Sequence, residues 1–189
     1  MHVKKINDEV LYAVDQIVKV GRKDIQLLKG KARDNKRKRI RLCAHKNVKD
    51  NLHEMFIVHT KGTYVMPHKH LNKAESLYVI EGSADIIVFD DEGNIIKALR
   101  MGNYSSGNEF YLRIPGSYYH TMLIRSKFLV FHEITTGPFE KSDTIFPPWS
   151  PNETDSNAIK EFMDWLSHSA VSFLSNSKED GYDRVTKVQ

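Results

Sequence analysis

The chain has 189 residues, enough for one domain with a sizeable core and a few appended segments. With 40% hydrophobic and 28% charged residues it is neither a disordered nor a fibrous composition. No apolar run reaches the ~18 residues that a membrane helix needs, which excludes insertion by helices. A formal net charge of +4 is too small to mark the whole chain as a nucleic-acid binder.

The N-terminus, M-H-V-K-K-I-N-D-E-V, has acids where a signal peptide carries its apolar stretch. The only cysteine, Cys43, forbids an internal disulfide and suits a reducing cytoplasm, so a cytoplasmic location is expected. Cys43 itself reads as a small buried apolar residue.

Residues 7–20 place Val10, Leu11, Val14, Ile17 and Val18 at helical spacing, with Asn7 or Asp8 as cap and Gly21 as stop. A second short helix is expected over 24–28. Residues 29–41 carry eight Lys or Arg against one Asp. The run has no interleaved aromatics and fits no nucleic-acid motif, so nucleic acid is not expected as a partner. It reads as a solvated or dimer-facing arm, or as a basic rim for a phosphorylated or nucleotide-linked ligand. These segments, 1–39, form the first of three regions.

From Ile40 the pattern is that of short strands, expected at 40–44, 53–59, 62–66, 75–80, 83–90, 94–100, 109–114, 119–124 and 127–135. D-D-E-G-N between I-I-V-F and I-I-K-A is a hairpin signal. Many short strands at this spacing predict a mainly β sandwich or barrel over 40–136.

Within it, His68 and His70 stand one residue apart, so on a strand their rings share a face. Glu75 follows after four residues, enough to turn the chain back beside them. Two imidazoles and a carboxylate suit a borderline divalent metal: Zn, Fe, Mn or Ni. His120, in P-G-S-Y-Y-H, is the candidate fourth ligand.

The same alternation turns Tyr64 and Met66 inward with the histidines, Leu77 and Val79 with Glu75, and Met122 and Ile124 with His120. On the last strand either His132 or Glu133 faces the barrel, and alternation alone does not choose. An inward Arg113 is a candidate for holding a carboxylate or phosphate; the plainer reading is a solvated side chain. Tyr64 or Glu133 is the candidate proton carrier, with Met66, Arg113 and His132 as candidate ligand contacts. For Tyr64 the plainer role is wall packing.

Residues 137–189 complete the chain. G-P-F-E-K-S-D-T-I-F-P-P-W-S-P-N-E is rich in proline and reads as an extended strap pinned by Phe139, Phe146 and Trp149. A lid over the barrel mouth is the alternative. Residues 156–174 then read as a helix with Ile159, Phe162, Met163, Leu166, Ala170 and Phe173 on one face. The polar end, 177–189, is expected to fray.

The stretch G62-T-Y-V-M-P-H-K-H-L-N-K-A-E-S-L-Y-V-I-E-G82 resembles the first cupin motif, G-x5-H-x-H-x4-E-x6-G, at every fixed position. The second motif is partial: Pro115 and His120 keep their separation, but Gly116 stands one place early, Glu109 replaces the leading glycine and Ile124 the closing asparagine. Over Arg37 to Glu153 the chain resembles the WbuC family of cupin-fold metalloproteins. The likeness rests on G-T-Y-V-M-P-H-K-H, V-F-D-D-E-G-N, P-x4-H, and T-T-G-P-F followed by F-P-P-W-S-P-N-E.

The resemblance implies a double-stranded β-helix, a jelly-roll barrel with the metal inside and the terminal helices packed outside. It also implies a setting in bacterial O-antigen and surface-polysaccharide biosynthesis. Such a site suits a sugar-like small molecule and isomerase or epimerase chemistry, with the metal as Lewis acid. The alternatives are an Fe(II)-dependent dioxygenase and a non-catalytic metal-dependent carbohydrate-binding or regulatory module. A homodimer is expected, because open sheet edges invite a partner.

Overall fold

In the computed structural model, residues 1–176 are described; the end expected to fray, 177–189, lies outside them. The strands are β1 (Val3–Lys5), β2 (Val10–Ala13), β3 (Arg39–Cys43), β4 (Leu52–Thr60), β5 (Lys69–His70), β6 (Glu75–Glu81), β7 (Ser83–Phe89), β8 (Ile95–Gly102), β9 (Tyr111–Ile114), β10 (Tyr119–Ile124), β11 (Phe128–Thr136) and β12 (Thr144–Ile145). The helices are α1 (Arg22–Asp34) and α2 (Ser156–Asn176).

One sheet runs β1-β2-β3-β4-β11-β6-β9 and a second β10-β7-β8, with the small pair β12-β5 joined to β10 through a His68–His120 bridge. The inward residues of both sheets meet in one core: Met55, Ile57, Leu77, Val79, Ala84, Ile86, Met101, Met122, Ile124, Leu129 and Phe131. Sequence-distant strands pair side by side around that core, as a jelly roll requires. The fold is therefore mainly β, a cupin-type double-stranded β-helix, and Leu77, Val79, Met122 and Ile124 face inward as alternation demands.

Each sheet also buries its outer face. Ile25, Leu28 and Ala32 of α1 cover Ile40, Leu42, Val58 and Val130. On the other side Leu166 and Ala170 of α2 cover Ile87, Phe89, Tyr119 and Leu123. Beneath α2, the fully buried carboxylate of Asp85 takes Arg100 Nε and Arg125 Nε, each at 2.7 Å, and Arg125 reaches on to Ser167 Oγ at 2.8 Å. No helix among the described residues is long and apolar enough to cross a membrane.

The β7–β8 hairpin forms at Asp90–Asn94 as its turn residues dictate, with Asn94 N–H donating to Asp90 Oδ1 at 2.8 Å. Gly82, at φ +86°, makes the tight return from β6 to β7, and a Cβ there would strike the Phe128 carbonyl.

Two expectations fail. Residues 7–20 are not helical: Val10–Ala13 is strand β2, parallel to β3 and antiparallel to β1. Helical spacing put Val14 and Ile17 on the buried face, yet they are 57% and 78% exposed, while Leu11 and Ala13 are buried under α1. The sheet edge offers Val10–Ala13 a ladder, which outweighs a weak helical propensity. Gly21 starts α1 rather than ending a helix, its N–H donating to Asp24 Oδ2 at 2.9 Å.

Nor do residues 29–41 form an arm. Helix α1 runs on to Asp34, and the rest becomes β3. Lys29 is buried and ion-paired with Glu81. In Arg-Ile-Arg-Leu-Cys, Ile40 and Leu42 pack under α1, so Arg39 and Arg41 face the barrel. The cross-chain role expected of this stretch loses its basis.

Candidate metal centre and its cavity

The segment 62–66, expected as a strand, is irregular. A two-residue ladder then fixes the histidines. His68 N–H donates to His120 O at 3.1 Å and His120 N–H to His68 O at 2.9 Å. The pair sets their rings 4.6 Å apart, with His70 5.0 Å from His68. Gly116, the displaced glycine of the second motif, lets the turn before β10 lie against the His70 and Lys73 carbonyls, which a Cβ would strike. That close approach explains why the glycine is needed there.

The ring tautomers follow from their partners. Nδ1 of His68 lies 2.9 Å from Met66 O and Nδ1 of His120 lies 3.1 Å from Tyr118 O. A carbonyl only accepts, so both Nδ1 atoms carry a proton, and each ring, when neutral, keeps its lone pair on Nε2. Nδ1 of His70 meets Thr144 Oγ1 at 3.3 Å, a contact supplied by β12. Glu75 sits between the rings, its Oε1 2.7 Å from His120 Nε2 and its Oε2 3.3 Å from His70 Nε2.

One donor atom from each of His68, His70, Glu75 and His120 lies within 4.8 Å of the others. Donors around a borderline divalent ion stand about 3–4 Å apart, so a small closure brings the four into range. His120 Nε2, buried and facing Glu75 Oε1, is one of these four donors.

The charges suit a cation. Burial holds His68 down at about 4, helped by the nearby His120 charge. Burial alone would raise Glu75, but His120, His70 and His68 together keep its carboxyl well below the ordinary range. Burial opposes a proton on His120, and the Glu75 carboxylate more than offsets it, so His120 lies above its ordinary value. A ligand set must present neutral imidazoles and an ionised carboxylate, so a metal would displace the proton that Glu75 draws onto His120.

The cluster lies in the wall of a cavity of about 800 Å³. A second cavity, of about 590 Å³, adjoins it, and Arg41, His70, Glu133, Phe139 and Thr144 line both. Both volumes fall in the range of small-molecule sites.

Strand β11 settles its own phase. Glu133 pairs with Met55 and Leu77, both inward, and lines the cavity. Burial, then the charge of Glu75, pushes its carboxyl up to about 8. His132 takes the other face, stacked 4.7 Å from the Phe56 ring, and is no ligand contact.

Two more candidates fall away. Tyr64 turns outward: its hydroxyl donates to Pro151 O at 2.8 Å and its ring packs on Phe162 of α2. Burial pushes that phenol up to about 12, and it does not line the cavity. Alternation failed there because the segment is not a strand, and Val65 and Met66 both reach the cavity instead. Arg113 is exposed on β9, opposite Ser76, away from the cavity.

The strap belongs to the site as well as to the edge. Its β12 pairs with β5, Phe146 lies 6.3 Å from the His68 ring, and Trp149 packs 5.0 Å from Phe89. Residues not singled out as site candidates also line the cavity: Arg39, Arg41 and His59. The signal was the two-residue alternation in R-I-R-L-C, hidden within a longer basic run.

Fold and cluster together define a cupin-type barrel with a candidate three-histidine, one-glutamate metal centre. A family model described as a domain of unknown function (DUF6016) matches residues 20–101. No curated protein matches the chain. Among solved structures, the chain is similar to CapF in complex with the inhibitor 3-isopropenyl-tropolone, at 18% identity over 57% of this chain and 31% of that one, TM-score 0.46. It is similar to oxalate decarboxylase from Bacillus subtilis, at 22% identity over 52% of this chain and 24% of that one, TM-score 0.43. It is also similar to procruciferin, an 11S globulin from Brassica napus, at 20% identity, covering 47% and 21%, TM-score 0.40. The matched part thus spans 21% to 31% of those chains' own length.

Proposed function

We propose that the chain holds one divalent metal through His68, His70, Glu75 and His120 and acts there on a small polar ligand. One observation carries this reading. Donors from three histidines and a glutamate, Glu75 and His120 buried and His68 and His70 partly so, converge on a cavity wall, and a further inward carboxyl, Glu133, stands beside them. Four protein ligands leave one or two positions open on a five- or six-coordinate ion.

Bound there, the metal would supply Lewis-acid polarisation of a ligand carbonyl or hydroxyl. The chain supplies the rest. Phe146 and Met66 give the cavity apolar wall, and Thr144 and the backbone carbonyls hold the imidazoles in place. Glu133, kept largely protonated near neutrality, can give a proton to the ligand and take one back. That pairing suits isomerisation or epimerisation of a sugar or nucleotide-linked sugar. The motif likeness to the WbuC family supports a role in bacterial surface-polysaccharide biosynthesis. A homodimer is proposed on the open β1 and β9 edges of the larger sheet, and a monomer in light scattering contradicts it.

Incubating the metal-loaded protein with a panel of sugars and nucleotide sugars, and reading product stereochemistry by NMR, tests the reaction. Turnover that falls at least tenfold in Glu133→Gln, with metal content unchanged, is expected. Oxygen uptake with an iron-loaded sample points instead to a dioxygenase. Saturable ligand binding without turnover makes the protein a binding module.

A further inference from the structure

On the inner face of β3 and β4, Arg39, Arg41 and His59 line the cavity. Arg39 lies opposite His59 in the ladder, and Arg41 opposite Ile57. Ile57 and His59 pair in turn with Phe131 and Leu129 of β11, both in the core. His59 is 6% exposed, packs edge-on 5.4 Å from the Phe131 ring, and has no hydrogen-bond partner for Nδ1. An unpartnered buried imidazole nitrogen at a cavity wall is a group awaiting a ligand or water.

The guanidiniums beside it differ. Arg37 and Arg39 are ion-paired with Glu9 and Glu153 across the end of the cavity. Arg41, half-buried, has no carboxylate within ion-pair distance among the described residues; its Nη1 has only Met55 Sδ, at 4.0 Å. Four cationic side chains, Arg37, Arg39, Arg41 and Lys141, line this cavity against Glu9, Glu75, Glu133 and Glu153. Even with all four carboxylates ionised those charges only balance, so a bound divalent ion leaves the cavity net cationic by at least two.

We propose that Arg41 and His59, backed by Arg39, form an oxyanion subsite in this cavity, so that the ligand carries a phosphate or carboxylate group. The inference rests on the reading of the cavity as a ligand site. It narrows the ligand from a sugar-like molecule to an acidic one. Guanidinium suits either acid because its fork donates two parallel hydrogen bonds.

The test uses the full chain, with and without zinc, titrated with inorganic phosphate and with malonate. Sodium chloride at equal ionic strength and glucose are the controls, and the readout is the NMR signals of the His59 ring and the Arg41 guanidinium. Saturable shifts with phosphate or malonate, absent with both controls and at least tenfold weaker in affinity in Arg41→Met, are expected. A response to phosphate alone makes the ligand a phosphoryl compound, and to malonate alone a carboxylic acid.

No saturable shift, an equal shift with chloride, or unchanged affinity in Arg41→Met overturns the proposal. If Arg41→Met does not fold, the wild-type titration decides. The zinc-free arm separates this proposal from the metal reading. A response there supports the subsite whatever the four-residue cluster binds. Zinc binding without any anion response overturns the subsite alone.

Discussion

Strand β3 turns two unlike faces to the protein. Outward, Ile40 and Leu42, at 2% and 0% exposure, lie in a closed apolar layer with Ile25, Leu28 and Ala32 of α1. Inward, Arg39 and Arg41 face a cavity of about 800 Å³ that also holds His59 and the His68, His70, Glu75, His120 cluster. In most sheets the apolar face looks into the core and the polar face into water. Here the outer face carries the packing and part of the inner face carries charge. A barrel that gives part of its inside to polar groups gains further apolar burial under the two helices.

The contrast is broken most forcefully by truncating the outer face. Leu42→Ala removes a fully buried side chain from a closed layer and is expected to lower stability by about 2–5 kcal/mol in urea denaturation. Arg41→Met, one residue away on the inner face, keeps the aliphatic stem and is expected to change stability by about 0.5 kcal/mol or less. Equal losses in the two variants would make the inner face structural and remove the division of labour.

A smaller effect sharpens the same comparison through pH. Burial, then the charges of Arg39 and Arg41, hold His59 at about 3 in the folded chain. Unfolded, the ring titrates near its ordinary ~6.5. Between those values the unfolded chain binds the proton and the folded chain does not, so stability falls as pH drops below about 6.5. From pH 7 to pH 5 this one ring should cost roughly 1–2 kcal/mol. His68, held at about 4, acts in the same direction, and its share persists when His59 is replaced. Denaturation of wild type and His59→Gln at both pH values should therefore show the shallower dependence in the variant. Identical slopes would mean that His59 is not held neutral by its surroundings.

Much of this was legible in the sequence, for physical reasons. The hairpin at D-D-E-G-N, the strands from β6 to β11 and the helix from Ser156 follow from periodicity and turn chemistry, which are local. The grouping of His68, His70, Glu75 and His120 was also legible, because three lie within eight residues and the fourth sits in a partial second motif. What failed depended on the partner surface. Val10–Ala13 took strand geometry because an edge was open to it, and Tyr64 turned outward because the segment before His68 makes no ladder. The roles of Arg39 and Arg41 were hidden because a basic run looks solvated until α1 claims its other face. Glu133 against His132 was undecidable by alternation until the pairing with Met55 and Leu77 fixed the phase.

The central claim is that the three histidines and Glu75 hold a metal that the barrel does not need in order to fold. Elemental analysis of protein purified without an affinity tag, on wild type and His70→Ala, with a thermal melt of each, tests it most directly. The account predicts about one divalent ion per wild-type chain, little or none in His70→Ala, and cooperative unfolding in both. Wild-type protein without metal, a variant that keeps its full complement, or a variant that no longer folds would contradict it.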